Sequence, residues 1–150
     1  MPIKVPTDHF LSAIQEKKVY YFSSIFLKTT EPHYFICIKR TEDEVLILTC
    51  CTSQRDTIQK FIEKKNLPFE TMVWISPSDR ENPFYTDTYV NCNSTFTYTV
   101  DEFRSMYDSD KIDFSGEISL NYYSQIITGI HKSPLVEAET KELIPQLEEL

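Results

Sequence analysis

The chain has 150 residues, with 41% hydrophobic and 25% charged residues, the composition of a folded globular protein rather than a disordered one. No apolar run approaches the roughly 20 residues a membrane helix needs, and Met1–Pro6 has no signal-peptide stretch, so the expected location is the cytoplasm. The net charge of −8 argues against non-specific DNA binding, and the two glycines, Gly116 and Gly129, exclude glycine-rich phosphate loops.

The charge is unevenly spread. Residues 1–100 hold 12 acids and 11 bases, whereas residues 101–150 hold 11 acids and four bases. The length predicts one domain over 1–150, with a β-rich core at about 19–100, an inserted helix at 54–65 and an acidic helical part at 101–150. Cys37, Cys50, Cys51 and Cys92 contain no CxxC pair and lie in apolar or β-branched runs. They read as buried thiols in a reducing compartment, with no metal site and no disulfide framework.

In chain order, Thr7 and Asp8 open a helix whose Phe10, Leu11 and Ile14 recur at helical spacing up to Lys18. Val19–Leu27 is rich in β-formers and predicts a strand. His33–Ile38 is a second strand, and Val45–Cys51 a third, apolar on both faces and therefore central. Ser53 with Asp56 has the spacing of a capping box for a helix carrying Ile58, Phe61 and Ile62. Thr71–Ile75 is a fourth strand, and Ser76–Thr86, with Pro77 and Pro83, is a long loop of the kind that often carries function. Thr88–Tyr98 reads as a long or bent strand, or as two. Thr99 and Glu102 form a second capping box, 108–113 is a loop, and the four-residue spacing of Ile118, Tyr122, Ile126 and Ile130 predicts a helix at 119–131. Ser133-Pro134 predicts the start of a last helix to Leu150, with Leu143, Ile144 and Leu147 facing in and Pro145 kinking or ending it. Strands first and helices last mean α+β, and short antiparallel strands that coil make a small barrel of five or six strands.

Residues able to do chemistry are few. His33 opens a strand after Pro32, a position suited to acid–base work, while His9 and His131 read as surface residues. Thr52-Ser53 lies where a central strand gives way to a helix, presenting hydroxyls and backbone amides, with Arg55 two residues further on. Asn91 and Asn93 flank Cys92 and suit cross-strand hydrogen bonding. Asp79 and Glu81 have no histidine partner in their loop and make a weak metal site.

Ser24–Leu27, the loop to Pro32-His33, the strand Tyr34–Ile38, and Val45–Thr52 with Ser53-Gln54 together resemble the core of MazF/PemK-like toxins. Thr88–Ser94 is similar to a later strand of that family, and the resemblance spans about residues 20–130. It implies an SH3-like barrel of the CcdB/MazF type with added helices, and metal-independent cleavage of single-stranded RNA without a cofactor. It also implies an antitoxin partner, and a homodimer is compatible with it. By that resemblance Thr52 matches the family's threonine, and His33 holds the position of the family's arginine. His33 and Thr52 are then the catalytic candidates. Ser53, Arg55, Arg40 and Lys39 are the candidates for substrate binding, the last three as sources of the missing cation. A non-catalytic SH3-like interaction module, or a toxin or immunity-type protein that acts by binding a protein, is the alternative. The acidic last third and the nine Tyr and ten Phe would then serve protein contacts.

Overall fold

The computed structural model describes residues 4–79 and 82–146. Seven antiparallel strands form one sheet: β1 (Lys18–Phe22), β2 (His33–Arg40), β3 (Val45–Thr52), β4 (Met72–Ile75), β5 (Thr88–Asn91), β6 (Phe96–Thr99) and β7 (Ile112–Glu117). Their order is β4-β5-β3-β2-β1-β7, with β6 also on β3. Among the described residues five α-helices complete an α+β architecture: α1 (Thr7–Ser12), α2 (Arg55–Lys65), α3 (Val100–Asp108), α4 (Leu120–Lys132) and α5 (Ala138–Leu143).

The apolar run at 45–51 is central because both edges of β3 are paired. One edge meets β2 from Phe35↔Cys50 to Arg40↔Leu46. On the other edge, Val45–Leu48 pair with β6, while Cys51 and Thr52 pair with β5. One strand thus serves two successive partners, and the sheet coils in the manner of a small barrel. Register shifts at Val19/Tyr20 and Cys37/Lys39 help the strands bend.

Alternation then sends neighbouring side chains to two cores. Val19, Ile36, Ile38, Ile47 and Val90 pack with Tyr122, Ile126, Ile127 and Ile130 of α4. Tyr20, Phe22, Phe35, Cys37 and Leu48 pack with Phe10 and Leu11 of α1 and with Phe103 and Tyr107 of α3. Each such isoleucine or phenylalanine contributes about 1.5–3 kcal/mol on burial. Gly129 lets α4 approach closely: a Cβ there would stand 2.5 Å from the Glu70 carbonyl oxygen and 2.8 Å from the Cys92 sulfur. The thiols are all free, and no helix among the described residues is long and apolar enough to cross a membrane.

Several boundaries differ from the sequence expectation. The first helix ends at Ser12, and Thr7 does not cap it; its hydroxyl donates instead to Asp108 Oδ1 at 2.6 Å. β1 stops at Phe22 because Ser24 turns inward, its hydroxyl 2.6 Å from that of Tyr98 while it accepts from the Phe26 amide. Ile25 and Phe26 are consequently left in solvent. β7 occupies a stretch read partly as loop. Only Ile112 of its six residues is buried, so its alternation is faint, and it forms because β1 offers a free edge. The capping box of Thr99 and Glu102 forms as expected, with both bonds present. The helix expected at 119–131 is α4, capped by Ser119. The last helix covers only 138–143. Ser133 spends its hydroxyl on Asn93 Oδ1 at 2.6 Å and on the Leu135 amide rather than starting a helix, and Pro145 follows the helix end. Ile144 faces in, Leu143 is exposed, and Leu147 lies outside the described residues.

Candidate functional site

The strand ends of the sheet place the site. The antiparallel register that sets Phe35 opposite Cys50 carries His33, two residues back along β2, to the level of Thr52 at the end of β3. Two-residue alternation puts both on the same face of the sheet as Phe35 and Cys50. Both line a cleft of about 440 Å³, within the size range of ligand sites. Glu31 and Pro32 precede His33 on its rim, Ser53 and Gln54 follow Thr52, and Phe84, Tyr85 and Thr86 close another side.

The imidazole of His33 is half-buried, with Nδ1 3.0 Å from the Glu31 carbonyl oxygen. A carbonyl only accepts, so Nδ1 donates, and in a neutral imidazole the lone pair is then on Nε2. Thr52 Oγ1 accepts from the Gln54 amide at 3.0 Å, an ST-turn that orients the hydroxyl and leaves its proton to donate elsewhere. Ser53 is exposed, and its hydroxyl has no partner among the described residues. The capping box expected from Ser53 and Asp56 does not form. The helix begins at Arg55 with Gln54 as its cap residue, so Ser53 lies one position too early. Arg55 is exposed on the first turn, beside the cleft but not in its wall.

The other two candidate cations, Arg40 and Lys39, lie elsewhere. They sit at the opposite end of β2, about 20 Å from His33 at 3.3 Å per residue. Arg40 is already engaged: Nη1 donates to the carbonyls of Leu11 at 2.7 Å and Ile14 at 3.0 Å, and the guanidinium pairs with Glu44. That pairing holds the Glu44 carboxyl below its usual range. The cleft wall therefore holds Glu31 and His33 and, among the described residues, neither lysine nor arginine.

Cys51 reaches the cleft, but burial pushes its thiol well above the usual range, with the neighbouring Cys50 and Cys92 adding to the rise. It is no thiolate nucleophile near neutral pH. Among the described residues, no three His, Cys, Asp or Glu side chains converge to hold a metal ion, and the Asp79/Glu81 pair falls partly outside them at Glu81. Asn91 ends β5 opposite Met72, and its Oδ1 accepts from the Asn93 amide at 3.0 Å in the turn that follows. His131 Nε2 lies 2.8 Å from the Ile144 carbonyl oxygen and ties α4 to the chain beyond α5, while His9 is exposed.

Sequence reasoning did not single out the aromatic wall. Tyr21 and Tyr34 pack at 4.6 Å between centroids with their planes tilted by 43°, and Tyr34 meets Phe84 edge-on at 5.2 Å. The available signal was the long loop 76–86, which indeed delivers Phe84, Tyr85 and Thr86 to the cleft.

No family model matches the sequence, and neither does any curated protein. Among solved structures the fold is similar to an endoribonuclease in complex with its cognate antitoxin from a mycobacterial species. The TM-score is 0.50 and the identity 17%, over 79% of this chain and 91% of that one. At this identity the likeness is one of fold.

Proposed function

We propose that this chain is a toxin-type endoribonuclease of the MazF/PemK kind, acting on single-stranded RNA in the cytoplasm without a metal, and held in check by an antitoxin. The observation that carries the reading is that His33 and Thr52 line one cleft, on a fold similar to that of an endoribonuclease bound to its antitoxin.

In this reading His33 Nε2 takes the proton of the ribose 2′-hydroxyl. The 2′-oxygen attacks the adjacent phosphorus, the bond from phosphorus to the 5′-oxygen breaks, and that oxygen takes a proton from water. A 2′,3′-cyclic phosphate and a 5′-hydroxyl end result. Thr52 and Ser53 donate hydrogen bonds to the phosphoryl oxygens as charge develops, and Arg55 on the rim attracts the approaching strand. An antitoxin that covers the cleft would block all of these contacts, and a homodimer remains compatible with the scheme.

Induced expression in bacterial cells tests this, with growth and total RNA followed for wild type and His33→Ala/Thr52→Ala. Growth arrest with fragmented RNA, relieved in the double variant, is the expected result. The absence of cationic side chains from the described cleft wall favours a second reading, a protein-interaction module on the same fold. Intact RNA, together with cleavage-independent arrest or a captured protein partner, would establish that reading instead.

A further inference from the structure

Tyr85 differs from every other aromatic residue of the cleft. Tyr21, Tyr34 and Phe84 pack ring against ring in series. Tyr85 lines the same cleft yet is 95% exposed, and its ring stacks on no other ring among the described residues. A large apolar face is thus held in solvent at the mouth of a site whose described wall has no lysine or arginine. Among the described wall residues phosphate charge has no lysine or arginine to meet, with Arg55 only beside the wall, and a free aromatic face is suited to stacking on an unpaired base.

Building on the RNA reading above, we infer that Tyr85 is the residue that positions the substrate, stacking on an unpaired base at the rim of the cleft, and that strand binding is governed by stacking rather than by phosphate neutralisation. Double-stranded RNA, whose bases are already stacked, is then excluded. Tyr85 is a positioning residue: it fixes the register in which the scissile phosphate meets His33 and has no part in proton transfer. Its exposure also means that its removal leaves the cores untouched.

The test uses the full chain and a fluorescein-labelled 2′-O-methyl oligoribonucleotide of mixed sequence, which cannot be cleaved because its 2′-oxygen nucleophile is blocked. Binding is read by anisotropy. Tyr85→Ala should weaken binding at least about tenfold, and Tyr85→Trp should restore or improve it. Raising sodium chloride from 50 to 200 mM should weaken wild-type binding less than about threefold, the change expected for a single phosphate contact on a single strand. Equal affinity of Tyr85→Ala and wild type would overturn the inference, as would a salt-driven loss of orders of magnitude. If either occurs while the wild type still fragments RNA, only the role of Tyr85 fails. If the wild type neither binds the oligonucleotide nor cleaves RNA, the endoribonuclease reading fails with it.

Discussion

His33 and Thr52 line the same cleft just past Phe35↔Cys50, the last pair of the β2–β3 ladder, one opening its strand and the other closing the next. Local backbone bonds set what each can do: the Glu31 carbonyl accepts from His33 Nδ1, and the Gln54 amide donates to Thr52 Oγ1.

Replacing His33 by alanine should lower RNA cleavage by about 10²–10⁴-fold, the usual contribution of a positioned general base. Thr52→Val keeps the shape and removes the hydroxyl, and should lower cleavage by about 10²-fold through loss of a donor to the developing charge. Single-turnover cleavage of a labelled RNA checks both. Unchanged rates in the two variants would place the chemistry elsewhere.

Arg40→Ala should leave cleavage per folded molecule unchanged, because Arg40 stands at the far end of β2 and braces the chain after α1. Two carbonyls lose a charged donor, and the expected loss of stability is about 1–3 kcal/mol. Urea unfolding, set beside specific activity, separates this structural role from the substrate-binding role that the sequence suggested.

Gly129→Ala should be among the more damaging single-methyl additions. The new Cβ would enter contacts of 2.5 Å with backbone oxygen and 2.8 Å with a buried sulfur, neither the tip of a flexible side chain. Overpacking of this kind costs about 1–3 kcal/mol or more. Thermal unfolding of the variant reads it directly, and an unchanged midpoint would mean that α4 shifts freely on the sheet.

The thiols predict an alkaline limit to stability. Burial raises Cys37 and Cys50 from 9.0 to about 12, with Glu16 adding to the rise at Cys37. Below pH 9 these thiols are protonated in both folded and unfolded chains, and the folded state keeps its full stability. Above it the unfolded chain loses protons first, so stability should fall progressively between pH 9 and 12. The urea midpoint should therefore be lower at pH 10 than at pH 7. At pH 7.5 the native protein should resist thiol reagents that modify all four cysteines after unfolding. Rapid labelling of Cys50 in the native state would contradict this.

Much of the architecture was legible where burial leaves a strong pattern. Val45–Cys51 is apolar on both faces because both cores press on it, and the spacing of Tyr122, Ile126 and Ile130 matches the stripe that α4 buries. Thr99 and Glu102 form their capping box because both partners lie within one helical turn. The misreadings have the opposite character. β7 has one buried residue, and its existence depends on a free edge nearly 100 positions earlier in the chain. Ser133 looks like a helix cap, but its hydroxyl is claimed by Asn93, 40 residues away.

The site divides along the same line. Residue chemistry and local order alone marked His33, Thr52 and Ser53, and the prolines marked loop 76–86 as one to watch. Which of the candidate cations reach the cleft, and which rings wall it, are questions of distance between segments far apart in sequence. Antiparallel pairing of β2 with β3 brings His33 and Thr52 to the same end of the sheet, where both line one cleft, and by the same geometry sends Arg40 about 20 Å away on the same strand. Local propensity and side-chain type are properties of the chain as a string. Register, edge pairing and the convergence of loops arise only when distant segments compete for one another's hydrogen bonds and apolar surface, and that competition decided the cleft.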